Sequence, residues 1–225
     1  MMKVQIWSDV VCPYCYIGKR EFENALAQFA DRDQVEVEWK SFELDRHAPV
    51  RIAEDMFDHL AKKYGRTRDQ AKDMVAGVVE RARTVGLDFR MEHAVMGNSF
   101  DAHRLIQYAK TKGLAGAAEE RLFKAHFVLG EHIGDKALLK KVAVEIGLDG
   151  SGVESLLAAD DFTEAVHGDE YEARQIGVRG VPFFVLDSKY AVSGAQSSEH
   201  FLGALNQAWS ERQPAAPQPL PTPES

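Results

Sequence analysis

The chain has two cysteines, and both fall in one tetrad, Cys12-Pro13-Tyr14-Cys15. The tetrad follows a strand-like stretch, Lys3-Val4-Gln5-Ile6-Trp7-Ser8-Asp9. It opens an amphipathic run in which Phe22, Ala25, Leu26, Phe29 and Ala30 share one helical face. A strand must therefore turn into a helix at the cysteines. Pro13 suits the first helical position, where its missing N–H forfeits no intrahelical bond. Cys12 then becomes the N-cap, with its sulfur facing unpaired N–H groups and the positive end of the helix dipole, which favour the thiolate. Cys15 lies one turn on, on the same face and within reach of a short disulfide. The expected roles are an exposed nucleophile, Cys12, and a shielded resolving thiol, Cys15.

Other uses of a cysteine pair fit less well. Zinc wants four ligands and no second pair exists; haem attachment needs a histidine where Tyr16 stands. The histidines show no ligand spacing, so no metal is expected. Two buried structural thiols do not call for a strand–C-P-x-C–helix setting. Redox chemistry is the favoured reading.

At 225 residues the chain can hold one generous domain, or a small domain carrying an insertion, and 45% hydrophobic residues suffice for a core. A net charge of -8 without a Lys/Arg cluster argues against nucleic acid. No apolar run approaches the roughly 18 residues of a membrane span. Met1-Met2-Lys3 lead straight into the first strand with no leader peptide before it, so a cytoplasmic protein is expected. Thiols there are kept reduced, which suits a catalytic pair better than a structural one.

After the first helix, Val35, Val37 and Trp39 alternate with charged residues as a half-buried strand, parallel to the first across a right-handed crossover. From about Arg51 to Leu157 the signals are helical. Thr67-x-x-Gln70 has the form of a capping box, and Ala71, Met74, Val75, Val78, Val79, Ala82 and Val85 make a stripe ending at Gly86. Asn98 or Ser99 starts a helix that stops at Gly113. Ala118, Leu122, Ala125 and Leu129 mark the next, Asp135 opens another, and Ser151-x-x-Glu154 caps a short last one. Strand signals return only after a helix over 161–176, at 181–186 and 190–192, with Asp187-Ser188-Lys189 as the turn between them. A helix over 198–212 follows. The tail, 213–225, holds five of the eight prolines and is expected to be disordered. Residues 1–48 and 159–212 thus form one discontinuous unit around a helical unit, 49–158.

Pro182 opens an apolar strand where a ladder N–H would be wanted. It is either cis and turned toward the cysteines, or an ordinary trans edge proline.

Cys12-Pro13-Tyr14-Cys15, Gly180-Val181-Pro182-Phe183-Phe184 and Ser193-Gly194-Ala195-Gln196 together resemble the DsbA-like thioredoxin superfamily, and within it the FrnE-like cytosolic branch. Asn98-Ser99-Phe100-Asp101-Ala102-His103-Arg104-Leu105 resembles that branch's insertion helix. The likeness runs over residues 3–210. It implies an α/β, thioredoxin-like fold: a four-stranded mixed sheet with an all-helical domain inserted after the second strand. It also implies a cis Pro182, and a Val181 that offers backbone groups to an extended substrate. Kappa-class glutathione transferases and 2-hydroxychromene-2-carboxylate isomerases share this architecture. They generally carry serine where this chain has Cys12, and a Ser-Asp pair where it has Ala195-Gln196, so both departures weigh against a transferase.

Among the remaining candidates, Pro13 and Tyr14 tune thiolate stability and, with Val181 and Pro182, make up the expected substrate-binding set. His103, on the insertion helix, is a substrate contact, a proton shuttle, or a satisfied helix histidine. Asp9 either relays protons to Cys15 or ties down the strand–helix turn. Trp7 and Trp39 belong to the core. The expected function is thiol–disulfide exchange on proteins or small thiols, with no tightly bound cofactor and glutathione as a redox partner. Its rivals are a glutathione-dependent transferase or isomerase, and a chaperone-like module that holds chains in the interdomain groove.

Overall fold

In the computed structural model, which describes residues 1–212, the sheet is built outward from β1 (Met2–Ser8). The expectation of a disordered tail lies outside the described residues. After β1 come α1 (Pro13–Gln28), β2 (Val35–Ser41), α2 (Met56–Tyr64), α3 (Arg68–Arg83) and α4 (Phe100–Lys110). Then follow α5 (Ala115–Phe127), α6 (Lys136–Glu145), α7 (Gly150–Ala158) and α8 (Thr163–Gln175). The chain ends its described part with β3 (Phe183–Leu186), β4 (Tyr190–Ser193) and α9 (Ser198–Ser210). The sheet has four strands in the order β2-β1-β3-β4. β2 runs parallel to β1, while β3 is antiparallel to both β1 and β4. This is the expected mixed sheet, interrupted after β2 by helices.

β1 is central: it pairs on both edges, buries Met2, Val4 and Ile6 on one face, and buries Trp7 on the other. Met2, Val4 and Ile6 pack with Phe22, Ala25 and Phe29 of the α1 stripe and with Phe201 and Leu205 of α9. Trp7 points the other way, onto Ala173 of α8 and Val178, and its indole N–H donates to the Asp169 carbonyl at 2.9 Å. β2, at the edge, buries only Trp39 and Ser41. The β3–β4 turn places Asp187 and Ser188 at φ 52 and 56, the left-handed pair whose twist matches a tight hairpin.

Local chemistry sets most of the helix boundaries. The Thr67 hydroxyl accepts from the Gln70 N–H while the Gln70 side chain accepts from the Thr67 N–H, closing the capping box. Asp135 caps α6 through the Ala137 N–H. α7 differs from expectation. Its cap is Asp149, whose carboxylate accepts from Ser151 and Gly152, so Ser151 lies inside the helix. Asp caps as well as Ser, and here it reaches two N–H groups. α1 ends at Gln28, which leaves Ala30 outside it, and Leu129 lies exposed beyond α5. β3 begins at Phe183 rather than 181, because Pro182 has no N–H to give the ladder.

The inserted helices share their apolar core with the first turns of α1. Cys12, Cys15, Tyr16 and Ile17 sit in one buried cluster with Leu105, Ile106, Leu122, Phe123, Phe127 and Leu139. The Tyr16 ring stacks on Phe123 with centroids 4.8 Å apart, and its hydroxyl donates to Glu120 at 2.6 Å. Lys19 and Arg20 pair with the same Glu120 carboxylate. The cysteine end of α1 is thereby locked against α5. Among the described residues no helix is long and apolar enough to cross a membrane.

Candidate active site

The turn from β1 into α1 is made by Asp9. Its Oδ1 accepts from the Val11 N–H at 3.3 Å and its Oδ2 from the Leu44 N–H at 2.8 Å, which ties the turn to the segment after β2. Cys12 follows as the N-cap, in extended conformation at φ -94 and ψ 112, with Pro13 in the first turn. The Cys15 N–H closes that turn onto the Cys12 carbonyl at 3.0 Å. The Cys15 sulfur accepts the Asp9 N–H at 3.5 Å.

β3 lies beside β1, and this register carries Val181 and Pro182 to the same corner across 169 residues of sequence. The Cys12 thiol faces the Val181 carbonyl at 3.5 Å, and the Val181–Pro182 bond is cis. Gly18 lets α1 come this close. A Cβ there would stand 2.9 Å from Pro182 Cγ, too near for the ring to tolerate without moving. Gly18→Ala gains up to about 1 kcal/mol of helix propensity but forces an overpacking that costs about 1–3. A net loss of up to about 2 kcal/mol is expected, together with slower exchange. Thermal melts check the sign, and a variant more stable than the wild type would show that the Pro182 loop yields freely.

One expectation is corrected here. Cys12 is not exposed: it retains 5% of its surface against 1% for Cys15. Val181 and the inserted helices cover it, and what opens to Cys12 is a cavity of about 560 Å³. Its walls are largely apolar, with Val11, Met56, Leu60, Met74, Val75 and Met91 among them, and Pro13 and Tyr14 at the cysteine end. Tyr14 is 47% exposed.

For His103 it is the substrate contact that is corrected. It has no exposed surface and does not line the cavity; its ring faces Asp9 instead. Its Nε2 lies 3.3 Å from Asp9 Oδ1. Burial opposes the charge on each partner. For Asp9 the His103 hydrogen bond and charge, helped by the Leu44 N–H, outweigh it, and the carboxyl falls below its ordinary value. For His103 the hydrogen bond and charge of Asp9 win likewise, and the imidazolium persists above its ordinary value.

Burial, followed by the hydrogen bond and charge of Cys12, pushes the Cys15 thiol well up. Sealed beneath, Cys15 holds its proton against solvent. Sequence reading missed three further polar groups near this site. Ser8 ends β1, and Glu119 and His126 lie on the apolar side of α5. Burial raises Glu119 to about 7 and lowers His126, which faces the cavity, to about 4. The signal was present in the spacing: Glu119 stands three residues before Leu122, and His126 four after it, so both join the Leu122 face.

The DSBA-like thioredoxin domain pattern matches residues 3–206. The chain belongs to that family. A probable DsbA oxidoreductase from Streptomyces coelicolor has a solved structure similar to this DSBA-like chain, with a TM-score of 0.91 and 41% identity. The match covers 96% of this chain and 93% of that one. The uncharacterized protein YwbO of Bacillus subtilis (strain 168) is 27% identical over 204 residues, which is 90% of this chain and 95% of YwbO. The cytosolic disulfide reductase DsbM from Pseudomonas aeruginosa, solved with GSH, shares the fold at a TM-score of 0.62 and 17% identity, covering 92% of this chain and 96% of DsbM.

Proposed function

We propose that the protein is a thiol–disulfide oxidoreductase working through Cys12 and Cys15. The observation that carries this reading is the asymmetry of the pair. Cys12 is the sulfur at the helix N-terminus that meets a cavity, against the Val181 carbonyl, and Cys15 is sealed behind it. Cys12 attacks a substrate disulfide as thiolate, forming a Cys12–substrate bond and releasing one substrate thiolate. Cys15 then attacks Cys12 Sγ, a Cys12–Cys15 disulfide forms, and the second substrate thiolate leaves. In reverse, the same steps pass a disulfide to a dithiol. Val181, followed by Pro182, offers its backbone to an extended segment carrying the substrate cysteine, a form of strand addition. The cavity beside Cys12 and Tyr14 takes the apolar group next to that cysteine. Residues 49–158 act as a helical domain whose side chains form its far wall.

Glutathione is the redox partner in this reading, a role supported by the GSH-bound structure of DsbM, and the setting is the cytosol. Turnover through a dithiol pair separates this reading from its rivals. With Cys15→Ser, turnover on a disulfide-bonded protein should be lost and one substrate equivalent should stay on Cys12, seen as added mass under non-reducing conditions. With Cys12→Ser no adduct should form. Undiminished turnover in Cys15→Ser would assign a monothiol glutathione reaction instead. Retention of unfolded chains without either cysteine, in place of turnover, would assign a holding function.

A further inference from the structure

Behind Cys15 lies a polar pocket that the exchange steps leave unused. Ser8 Oγ, Glu119 Oε2 and His103 Nδ1 are each sealed from solvent without a hydrogen-bond partner. Buried polar groups are almost always paired, so three orphans in one place call for a reason. The Ser8 hydroxyl stands close enough to both Cys15 and Glu119 to favour their charged forms, yet it closes a hydrogen bond to neither. It sits as a bridge between a thiol and a carboxyl from different elements, β1 and α5.

Resolution requires Cys15 to give up a proton where no bulk water reaches it. Asp9 is badly placed to take it. Its two oxygens already accept from Val11 and Leu44, one faces His103, and its carboxyl is held below the ordinary value. Glu119 keeps an oxygen free, and burial raises it to about 7, where it exchanges protons near neutrality. Facing Glu119 are Lys19 from α1, His103 from α4, Asp9 from the turn and Ser8 from β1. On the α6 side, Glu145 pairs with Arg121. Facing Cys15 are Cys12, Asp9 and Ser8.

We infer that Glu119 is the proton acceptor for Cys15, acting through the Ser8 hydroxyl. The inference rests on the Cys12–Cys15 exchange proposed above. In the resolving step the Cys15 S–H proton passes to Ser8 Oγ as the Ser8 proton passes to the Glu119 carboxylate. The Cys15 thiolate attacks Cys12 Sγ, the Cys12–substrate bond breaks, and the substrate departs as thiolate. When a substrate thiolate opens the enzyme disulfide, Cys15 leaves as thiolate and takes the proton back from Glu119 by the same route.

Reduced enzyme mixed with a dithiobis-nitrobenzoate reports the two steps separately. Attack by Cys12 releases one coloured thiolate, and resolution by Cys15 releases the second. In the wild type the second phase should rise with pH through a midpoint near 7 and level off. In Glu119→Gln it should be about 100-fold slower at pH 7 and keep rising with hydroxide, without a plateau. Ser8→Ala should slow the same phase and leave the first untouched. A Glu119→Gln variant with the wild-type rate, or a slower rate with the same midpoint, would overturn the inference. Should that variant not fold, redox-difference infrared spectra of the wild type decide: a protonated-carboxyl band titrating near pH 7 supports Glu119, and its absence overturns it. Release of both thiolates by Cys15→Ser, by contrast, would refute the dithiol reading itself and not the proton route alone.

Discussion

Asp9→Ala is expected to lower the free energy of unfolding by about 3–5 kcal/mol, the range for removing one partner of a buried ion pair. The side chain has no exposed surface and holds three groups at once: the Val11 and Leu44 N–H donors and the His103 ring. Without it, the donors lose their acceptor and His103 must bury its ring alone. Asp9→Asn isolates the charge, because it keeps the shape while withdrawing what holds His103 protonated. The sign with pH follows from the two shifts. Asp9 lies below its ordinary 3.8, so its contribution is full above that value and is lost as pH falls. His103 lies above its ordinary 6.5, so its contribution is full below that value and is lost as pH rises through the folded one. The wild-type advantage over Asp9→Asn should therefore be widest between about 3.8 and 6.5 and shrink on either side. Urea unfolding midpoints across pH 3–9 supply the comparison. A loss below about 1 kcal/mol in Asp9→Ala would mean that the turn holds itself through its backbone.

What the sequence made legible is what short-range chemistry decides. The tetrad at a strand–helix junction fixed Cys12 as N-cap and Pro13 in the first turn, and both stand there. Thr67 and Gln70 closed their capping box, and Gly86, Gly113, Gly147 and Gly177 all take positive φ just beyond helices. The strand-like opening, the alternation at Val35, Val37 and Trp39 and the strands near the end gave the sheet its members. What stayed hidden depends on pairs far apart in sequence. His103 reads as a polar residue on an insertion helix, and only the packing of α4 against β2 and α8 brings it to Asp9, 94 residues away. The burial of Cys12 follows from Val181 and the inserted helices closing over it, which the local pattern of α1 does not contain. Gly18 reads as a weak helix position, until Pro182 is seen lying against it. The carboxyl on the Leu122 face of α5 was visible as spacing, but its meaning required knowing that α5 packs on the cysteine end of α1.

That carboxyl also leaves a mark on stability that is independent of any reaction. Glu119 has an ordinary value of 4.5 and a folded value of about 7, so between the two the folded state binds more protons than the unfolded one. Its contribution is full below 4.5 and is lost as pH rises through about 7. At 1.36 kcal/mol per unit, the wild type should lose about 3 kcal/mol from this group between pH 4.5 and 8. Glu119→Gln, nearly the same shape as the protonated acid, cannot ionise and escapes that loss. The two proteins should be close in stability near pH 4.5, and the variant should draw ahead as pH rises. The folded value already contains the attraction of the His103 charge, which holds it lower than burial alone would. Denaturant unfolding of both proteins, fully reduced, at pH 4.5, 6, 7 and 8 tests this, because titrations common to both cancel in the difference. A difference that stays flat across that range would mean Glu119 keeps its ordinary value of 4.5 in the fold and is ionised at neutrality. It would then hold no proton to exchange with Cys15.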